Sequence, residues 1–511
     1  MRWTPPHESS REQKVADRLR SASRFYRFLW EIRAELFADG FEDELIASYQ
    51  PRGQDPCPPA MLAMVLLLQR YDGISDADAV DSAENDRRWQ LVLGTLGKDE
   101  APFGQGSLVR FRTRMIGHDL DKKLVERTVA LAKSTGKFGW KKLRVALDSS
   151  PLLGAGRVED TWNLIGRAMS KVVHTVALAL DLDEEVVIER AGLTLLSADS
   201  IKAALDIDWD DEEAKQKALQ LVLSEVSALE EWVAKRAKKE ASKPPVSDAL
   251  ALLKRMVHQD TEPDPPSRGR KIREGVAHDR QISISDPQMR HGRKSRSKRF
   301  DGYKRHVAVI NGLVVATAVV PANAPEHHPT EKLLKGAAKH GKIAVLDIDR
   351  GYLPSPEVES LHRAGVVVHS RAWNPKNQGR FTKDDFAIDL TARHVTCPAG
   401  KRARLAPSDQ AFFSPQDCGT CRLKPQCTAS PMRTVKLHRV EDLLIKLRAA
   451  KKTTEGRREL RERVVVEHRL ARIGAIQGNR ARYRGARKNE LDLNRAAALA
   501  NLMELARKRA A

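Results

Sequence analysis

Cysteine is scarce in this chain: five residues among 511, too few for a disulfide scaffold. Long apolar runs are missing as well. The longest, Met61–Leu68, falls far short of the roughly 20 residues that a membrane helix needs. The opening MRWTPPHESS is polar and carries no signal-peptide core. A cytoplasmic location is expected, nucleoid-associated in a bacterium. No internal repeat is visible. Acidic residues are in deficit, with 68 Asp and Glu against 89 Lys and Arg, a net charge of +21. Such a surplus points to a polyanionic partner. An anionic membrane surface would require a basic amphipathic helix with a bulky apolar face, and none is evident. Nucleic acid is the partner left.

Hydrophobic residues make up 41% of the chain, enough for real cores, and its length suggests about two to four structural units. Residues 1 to about 140 read as helical. Pro58-Pro59 can open a helix at its first turn, and MLAMVLLLQRY would form a buried helix ending near Gly73. Ser75 suits the N-cap of a second helix through Val80, and Ser107 that of a third over LVRFRTRM. In the third, Leu108, Phe111 and Met115 share one face, while Arg110 and Arg114 lie one turn apart on another. Three short helices with arginines on the last resemble a helix-turn-helix DNA reader, which makes Arg110 and Arg114 candidate base contacts. A helical bundle with a solvated basic face is the plainer alternative.

From Lys141 the pattern changes. LRVALDSS is apolar, β-branched and ended by polar residues, as a strand is. VVHTVALAL and VVIERAGL read as further extended runs. Residues 200–258 turn helical: Leu219, Val222, Val226, Leu229 and Val233 recur in steps of three and four, which is one helix face. TEPDPPSRGRK reads as a linker. YKRHVAVI, GLVVATAVV, KIAVLDID and GVVVHS are strands again. The expected fold class is α/β. A helical N-terminal domain covers 1–140, and a strand-rich core covers 141–199 and 276–374. The core is interrupted by a helical hairpin and linker over 200–275. A loop-rich cysteine insertion follows over 375–440, then C-terminal helices over 441–511.

Acids stand where strands finish, and ligands of open α/β sheets gather at such ends. Asp148 ends LRVALDSS. Asp347 and Asp349 end KIAVLDID, and on a strand they would share a face, so either could serve as a ligand. Glu467 lies in the helical stretch RRELRERVVVEHRLARIG. It shares a face with Leu460, Val464, Ala471 and Gly474, a small or apolar stripe where a buried carboxylate needs a partner. A metal would supply one, and so would Arg463 one turn earlier. Carboxylates converging from distant segments suit Mg²⁺ or Mn²⁺, and two such ions roughly 3.5–4 Å apart clamp the attacking and leaving oxygens of a phosphodiester.

Two further patterns carry chemistry. Cys397, Cys418, Cys421 and Cys427 follow C-x20-C-x2-C-x5-C, which suits a tetrahedral structural Zn²⁺ in a segment with little apolar content of its own. Cys57 is isolated. Basic residues form one dense run, Arg290, Arg293, Lys294, Arg296, Lys298 and Arg299, just before Lys304. Arg480, Arg482, Arg484, Arg487 and Lys488 form another after Glu467. Such runs contact phosphates and set register, which makes Arg290 and Lys304 candidate DNA contacts.

Taken together these segments are recognisable. The chain resembles the large DDE transposases of bacterial insertion sequences, in the branch with a helical N-terminal domain and a late cysteine cluster. The resemblance runs over most of the chain and keeps one order. It begins with YQPRGQDPCPPAMLAMVLLLQRYDGISDADAVDSAENDRRWQLVLG and PFGQGSLVRFRTRM, followed by LDSSPLLGAGRVEDTWNLI. Next come ISDPQMRHGRKSRSKRFDGYKRHVAV, VVPANAPEHH and LDIDRGY. VTCPAG with CGTCRLKPQC and RERVVVEHRLARIG with RYRGARKNELDLNRAAALANL close the series.

The resemblance implies an RNase H-like catalytic core. It assigns the acids to Asp148, Asp349 rather than Asp347, and Glu467, and makes Arg463 part of the signature around the last acid. That signature carries a Tyr and a Lys where this chain has Leu460 and Gly474, so their roles stay unassigned. The acidic residue often found after the PAN triplet is read as missing, with His327 and His328 in that neighbourhood. The implied activity is binding of the element's terminal inverted repeats in double-stranded DNA, metal-dependent cleavage, and joining of the freed 3′ ends to a target. A homodimer on DNA follows from the need to handle two ends together. A catalytically inactive or recruited DNA-binding relative is the alternative.

Overall fold

The computed structural model describes residues 2–3, 10–38, 40–50, 56–265, 269–295, 297–462 and 464–510. At its centre is a mixed six-stranded sheet built from β1 (Leu143–Leu153), β2 (Arg290–Arg293), β3 (Arg299–Ile310), β4 (Leu313–Pro321), β5 (Ile343–Ile348) and β6 (Val367–His369). β3 pairs antiparallel with β1 on one side. On its other side it pairs antiparallel with β2 along Arg299–Gly302 and with β4 along Tyr303–Ile310. β5 and β6 continue the sheet beyond β1 in parallel. Alternation along β3 sends Tyr303, Val307 and Val309 into one apolar core and Ala308 and Ile310 into another, so the sheet is covered on both faces.

The N-terminal part is helical, as its pattern predicts. α1 (Pro59–Asp72) starts with Pro59 in its first turn and is buried from Pro59 to Arg70. It stops where Gly73 adopts a left-handed φ of 72°. Ser75 caps α2 (Asp76–Asn85) in a reciprocal capping box with Asp78. α3 (Gln105–Gly117) begins three residues earlier than its sequence suggests, with Gly104 at the N-cap and Ser107 inside the first turn. α4 (Leu120–Ser134) leads into the sheet.

Two segments differ from their sequence reading. VVHTVALAL lies in α5 (Thr161–Leu180), and VVIERA lies in the helix Glu184–Ala191. Their valines have strand propensity, but Trp162, Ile165, Met169, Val172 and Val176 recur at helical spacing and pack against a neighbouring helix layer. That layer is α6 (Glu212–Arg236) and α7 (Val246–Asp260), whose Leu219, Val222, Leu229 and Val233 are buried as expected. The presumed linker forms a strand pair, Thr261–Asp264 with Gly269–Ile272. These helices own a separate core.

Residues 375–440 are less irregular than their composition suggests. Three short strands (Ala387–Asp389, His394–Thr396, Arg402–Arg404) and a further pair (Gln410–Phe412, Thr434–Lys436) surround Val395, Ala411, Phe413 and Val435. The chain ends in helices: Glu441–Ala450, α8 (Thr454–Glu462), α9 (Val464–Gln477) and α10 (Ala486–Ala510). α10 crosses back to the edge strand. There the Asn501 amide accepts from Val314 N and donates to Val314 O, both at 2.8 Å. Among the described residues no helix is long and apolar enough to cross a membrane.

Candidate active site

β1 runs apolar to Leu147 and then places Asp148 at the sheet surface, half-buried, its Oδ1 accepting from Ser149 N at 2.8 Å. The parallel register pairs Ala146 with Asp347 and Leu147 with Ile348, so one step further brings Asp148 beside Asp349. Asp349 lies just past the end of β5 and caps the turn Arg350–Tyr352, accepting from Arg350 N at 3.1 Å. Glu467 approaches from α9. It is exposed rather than buried, and it faces the same cleft from a helix stripe of Leu470, Ala471 and Gly474.

The cleft has a volume of about 640 Å³. Its wall carries Asp148, Asp349, Glu467 and a fourth acid, Glu326, and its rim carries Arg293, Lys294 and Lys304. The PAN triplet is thus followed by an acid after all: Glu326 stands directly before His327. Asp148, Asp349 and Glu467, far apart in the chain, therefore line one cleft, and Asp347 does not join them. Asp347 is 2% exposed, and Arg144 holds it through Nε–Oδ2 at 2.5 Å and Nη2–Oδ1 at 2.9 Å. His369 Nδ1 adds a contact at 3.0 Å. Burial would raise the Asp347 pKa, but the hydrogen bonds from His369 and Arg144 and their charges win and lower it.

α9 is fixed at its C-terminal end. Arg305 from β3 donates to Gln477 Oε1 at 3.1 Å and to Gly478 O at 2.8 Å. Its guanidinium lies 3.0 Å from where a Cβ of residue 474 would stand, so a glycine there gives it room. Arg70 of α1 donates to Ile476 O and pairs with Asp492 at 3.6 Å. Beyond the helix, Leu153 N donates to Asn479 O at 2.9 Å and Ala481 N to Leu153 O at 2.6 Å, stitching the far end of β1 to the segment after Glu467.

Hard carboxylate oxygens are the donor set that Mg²⁺ prefers. Among the described residues, however, no group of three or more His, Cys, Asp or Glu is drawn tightly enough to hold a metal ion. Both facts are compatible. Mg²⁺ keeps several waters and takes only one or two carboxylates plus substrate phosphate oxygens, so an open wall of acids fits an ion that is completed by DNA.

The basic residues divide. Arg290 is 11% exposed; it is held by Asp279 at 2.7 and 3.2 Å and by the carbonyls of Pro287 and Met289, so its charge is spent within the protein. Arg293 and Lys294, three and four residues on, are exposed on the cleft rim. Lys304 is half-buried, with Nζ donating to Ala324 O at 2.8 Å. Burial lowers its pKa, and the Glu326 charge opposes the shift. Arg487 is bound to Asp121 at 2.6 and 2.7 Å, joining α10 to the N-terminal helices. On α3, Arg110 is exposed, Arg114 lies over the Tyr49 ring at 4.2 Å, and buried Arg112 pairs with Asp76. Arg463 lies outside the described residues.

Cys397, Cys418, Cys421 and Cys427 line one small cavity of about 30 Å³ beside Phe413. Burial raises the Cys427 thiol; Arg433 opposes, and the other three cysteines add to the rise. The donors suit a soft ion such as Zn²⁺, though they are not closed to ligating distance.

Residues 15–114 match the family model of a transposase domain (DUF772), and residues 396–506 match that of a transposase DDE domain. No curated protein and no solved structure matches the chain. The second match takes in both the cysteine cluster and Glu467, and the first takes in α1 to α3. The two matches, with the DUF772 domain on the N-terminal side, indicate an insertion-sequence DDE transposase.

Proposed function

We propose that this transposase binds the terminal inverted repeats of its own element, hydrolyses phosphodiester bonds at the element ends, and joins the freed 3′ ends to target DNA. The observation that carries this reading is the meeting of Asp148, Asp349 and Glu467 in one cleft rimmed by basic residues. The mixed sheet, in which antiparallel β1, β3 and β4 are continued by β5 and β6 parallel to β1 and flanked by the short β2, supports an RNase H-like core. Asp148, Asp349 and Glu467 would hold two divalent ions. When bound, such ions activate the attacking water or hydroxyl and offset charge on the leaving oxygen.

The chain's own groups do the rest. Arg293 and Lys294 contact phosphates flanking the scissile bond and set the strand's register. Lys304 brings positive charge to the cleft, where partial burial strengthens its attraction for a phosphate. Arg305 and Arg70 fix the end of α9 and so hold the Glu467 stripe against β1. Arg110 on α3 reads the element ends. Two ends must be cut and joined together, so the working form is a homodimer on DNA.

The test is cleavage of labelled DNA carrying the element's own ends, in Mg²⁺ and in EDTA, by wild type and Asp349→Asn. Metal-dependent cutting that is lost in the variant is the expected result. Specific binding without cutting in any metal overturns the catalytic reading and leaves a DNA-binding protein.

A further inference from the structure

Glu326 stands in the turn after β4, and its carboxylate lines the cleft with the three other acids. Its position is unusually determined for a half-buried side chain. Ser149, the neighbour of Asp148, donates from Oγ to Glu326 Oε1 at 3.3 Å. Ser149 is in turn hydrogen-bonded to the Tyr352 hydroxyl. That hydroxyl lies 2.7 Å from His306 Nδ1. Tyr352 and His306 are both fully buried, and β1–β3 pairing sets Ser149 directly opposite His306.

The direction of this chain follows from what each group can do. An ionised carboxylate only accepts, so the single Ser149 proton goes to Glu326. The Tyr352 hydroxyl then lies between Ser149 and His306 Nδ1, in contact with both. His306 Nε2, on the far side of the ring, has no hydrogen-bond partner among the described residues. Burial pushes His306 down to about 3, so it is neutral. Tyr352 keeps its proton, held first by burial and then by the charges of Asp148, Glu326 and Asp349.

The second anchor is a void. The Glu326 side chain lies on Gly351, and any Cβ there would overlap its carboxylate. Gly351 does not have a positive φ, so what the glycine supplies is room for the carboxylate and not a special conformation. Such provision holds a negative charge against Asp148 and Asp349, where like charges repel. Lys304 offsets it through space.

We propose that Glu326 is a fourth cation-binding carboxylate of this site, seated on Gly351, and that Ser149, Tyr352 and His306 are the positioning residues that aim it. This rests on the cleft being the divalent-metal site described above. Full-length protein is titrated with Mn²⁺, and free Mn²⁺ is followed by electron paramagnetic resonance, without DNA or turnover. Wild type, Asp349→Asn, Glu326→Gln, Glu326→Asp and Tyr352→Phe are compared, with circular dichroism melts to confirm folding. Glu326→Gln should weaken Mn²⁺ binding by at least about tenfold. Glu326→Asp should recover part of that loss, and Tyr352→Phe should shift binding in the same direction by less. If Glu326→Gln binds like wild type while Asp349→Asn is weakened, the fourth-carboxylate role is wrong and the metal site stands. If neither variant changes binding, the metal site itself is wrong and this inference goes with it.

Discussion

Asp347 and Asp349 stand two residues apart where one strand ends, yet the first is locked between Arg144 and His369 and the second lines the cleft. The lock reaches further. Arg144 also pairs with Glu462, and His369 Nε2 lies 3.4 Å from Glu459 Oε2, so the Asp347 cluster ties the sheet to α8, which leads toward Glu467.

The two aspartates should therefore fail differently. Asp347→Asn should cost roughly 1.5–3 kcal/mol of stability in urea unfolding, less than a fully buried pair because the Arg144 side chain is 32% exposed. Asp349→Asn should leave stability within about 0.5 kcal/mol of wild type while abolishing cleavage. The pKa of Asp347 is lowered in the fold, so its contribution is complete above the unfolded value of about 3.9. It is lost as pH falls through the folded pKa. Asp347→Asn should accordingly flatten the acid limb of the stability profile. An unchanged limb would remove the ion pair from any role in acid stability.

DNA contacts can be sorted by salt dependence. Ala substitution of Arg293 and Lys294 together should reduce the slope of log K against log salt by about 1 per lost phosphate contact, equally for specific and random duplexes. Arg110→Ala should instead cost about 1–3 kcal/mol on the element end alone. Arg290→Ala should leave DNA affinity intact and lower the melting temperature, because its partners are Asp279 and two carbonyls. A selective loss of DNA binding in Arg290→Ala would contradict that placement.

The cysteine module should carry one Zn²⁺ per chain when purified without chelator. Removal by a strong chelator, or Cys418→Ser, should expose residues 375–440 to protease and to amide exchange while the central sheet stays protected. Metal analysis that finds no zinc, with the module protected all the same, would leave the four thiols as a reduced lining of the small cavity.

Asp492 is 1% exposed in its side chain and sits between Arg70 at 3.6 Å and Arg495 at 3.4 Å. Asp492→Ala should be severely destabilising, by about 3–5 kcal/mol in chemical denaturation, because it strands two buried guanidinium groups. Arg70→Leu together with Asp492→Ala should recover part of that loss. Additive losses would show that the pair does not act as a unit.

Much of this architecture was legible before any coordinates. Pro59 and Gly73 bracket α1 by fixed backbone preferences, and the apolar alternation of β3 and β4 could only be strand. Convergence of Asp148, Asp349 and Glu467 was expected from the resemblance. α5 was misread because its valines speak for strands locally, while the three-and-four spacing that decides for helix becomes visible only over a longer window. The resemblance chose Asp349 over Asp347, while the residues alone left both open, because sequence does not give the position of Arg144. Arg290 looked like its basic neighbours because nothing local announces that Asp279 will claim it. Glu326 stands beside two histidines with no local signal of its place in the cleft; the glycine that makes room for it lies 25 positions further on.

The helices between β1 and β2 have their own core, and their two ends return to one place. Gly154 N donates to Asp301 O at 2.8 Å, and Glu159 N donates to Ile282 O at 3.0 Å. A segment that leaves a scaffold and rejoins it at the same socket can be lengthened, exchanged or trimmed without moving what flanks the socket, because closure entropy grows only with the logarithm of loop length. The helical module is in that sense cargo. A lineage can refit it for new company while Asp148 on one side and Lys304 on the other stay where the chemistry needs them.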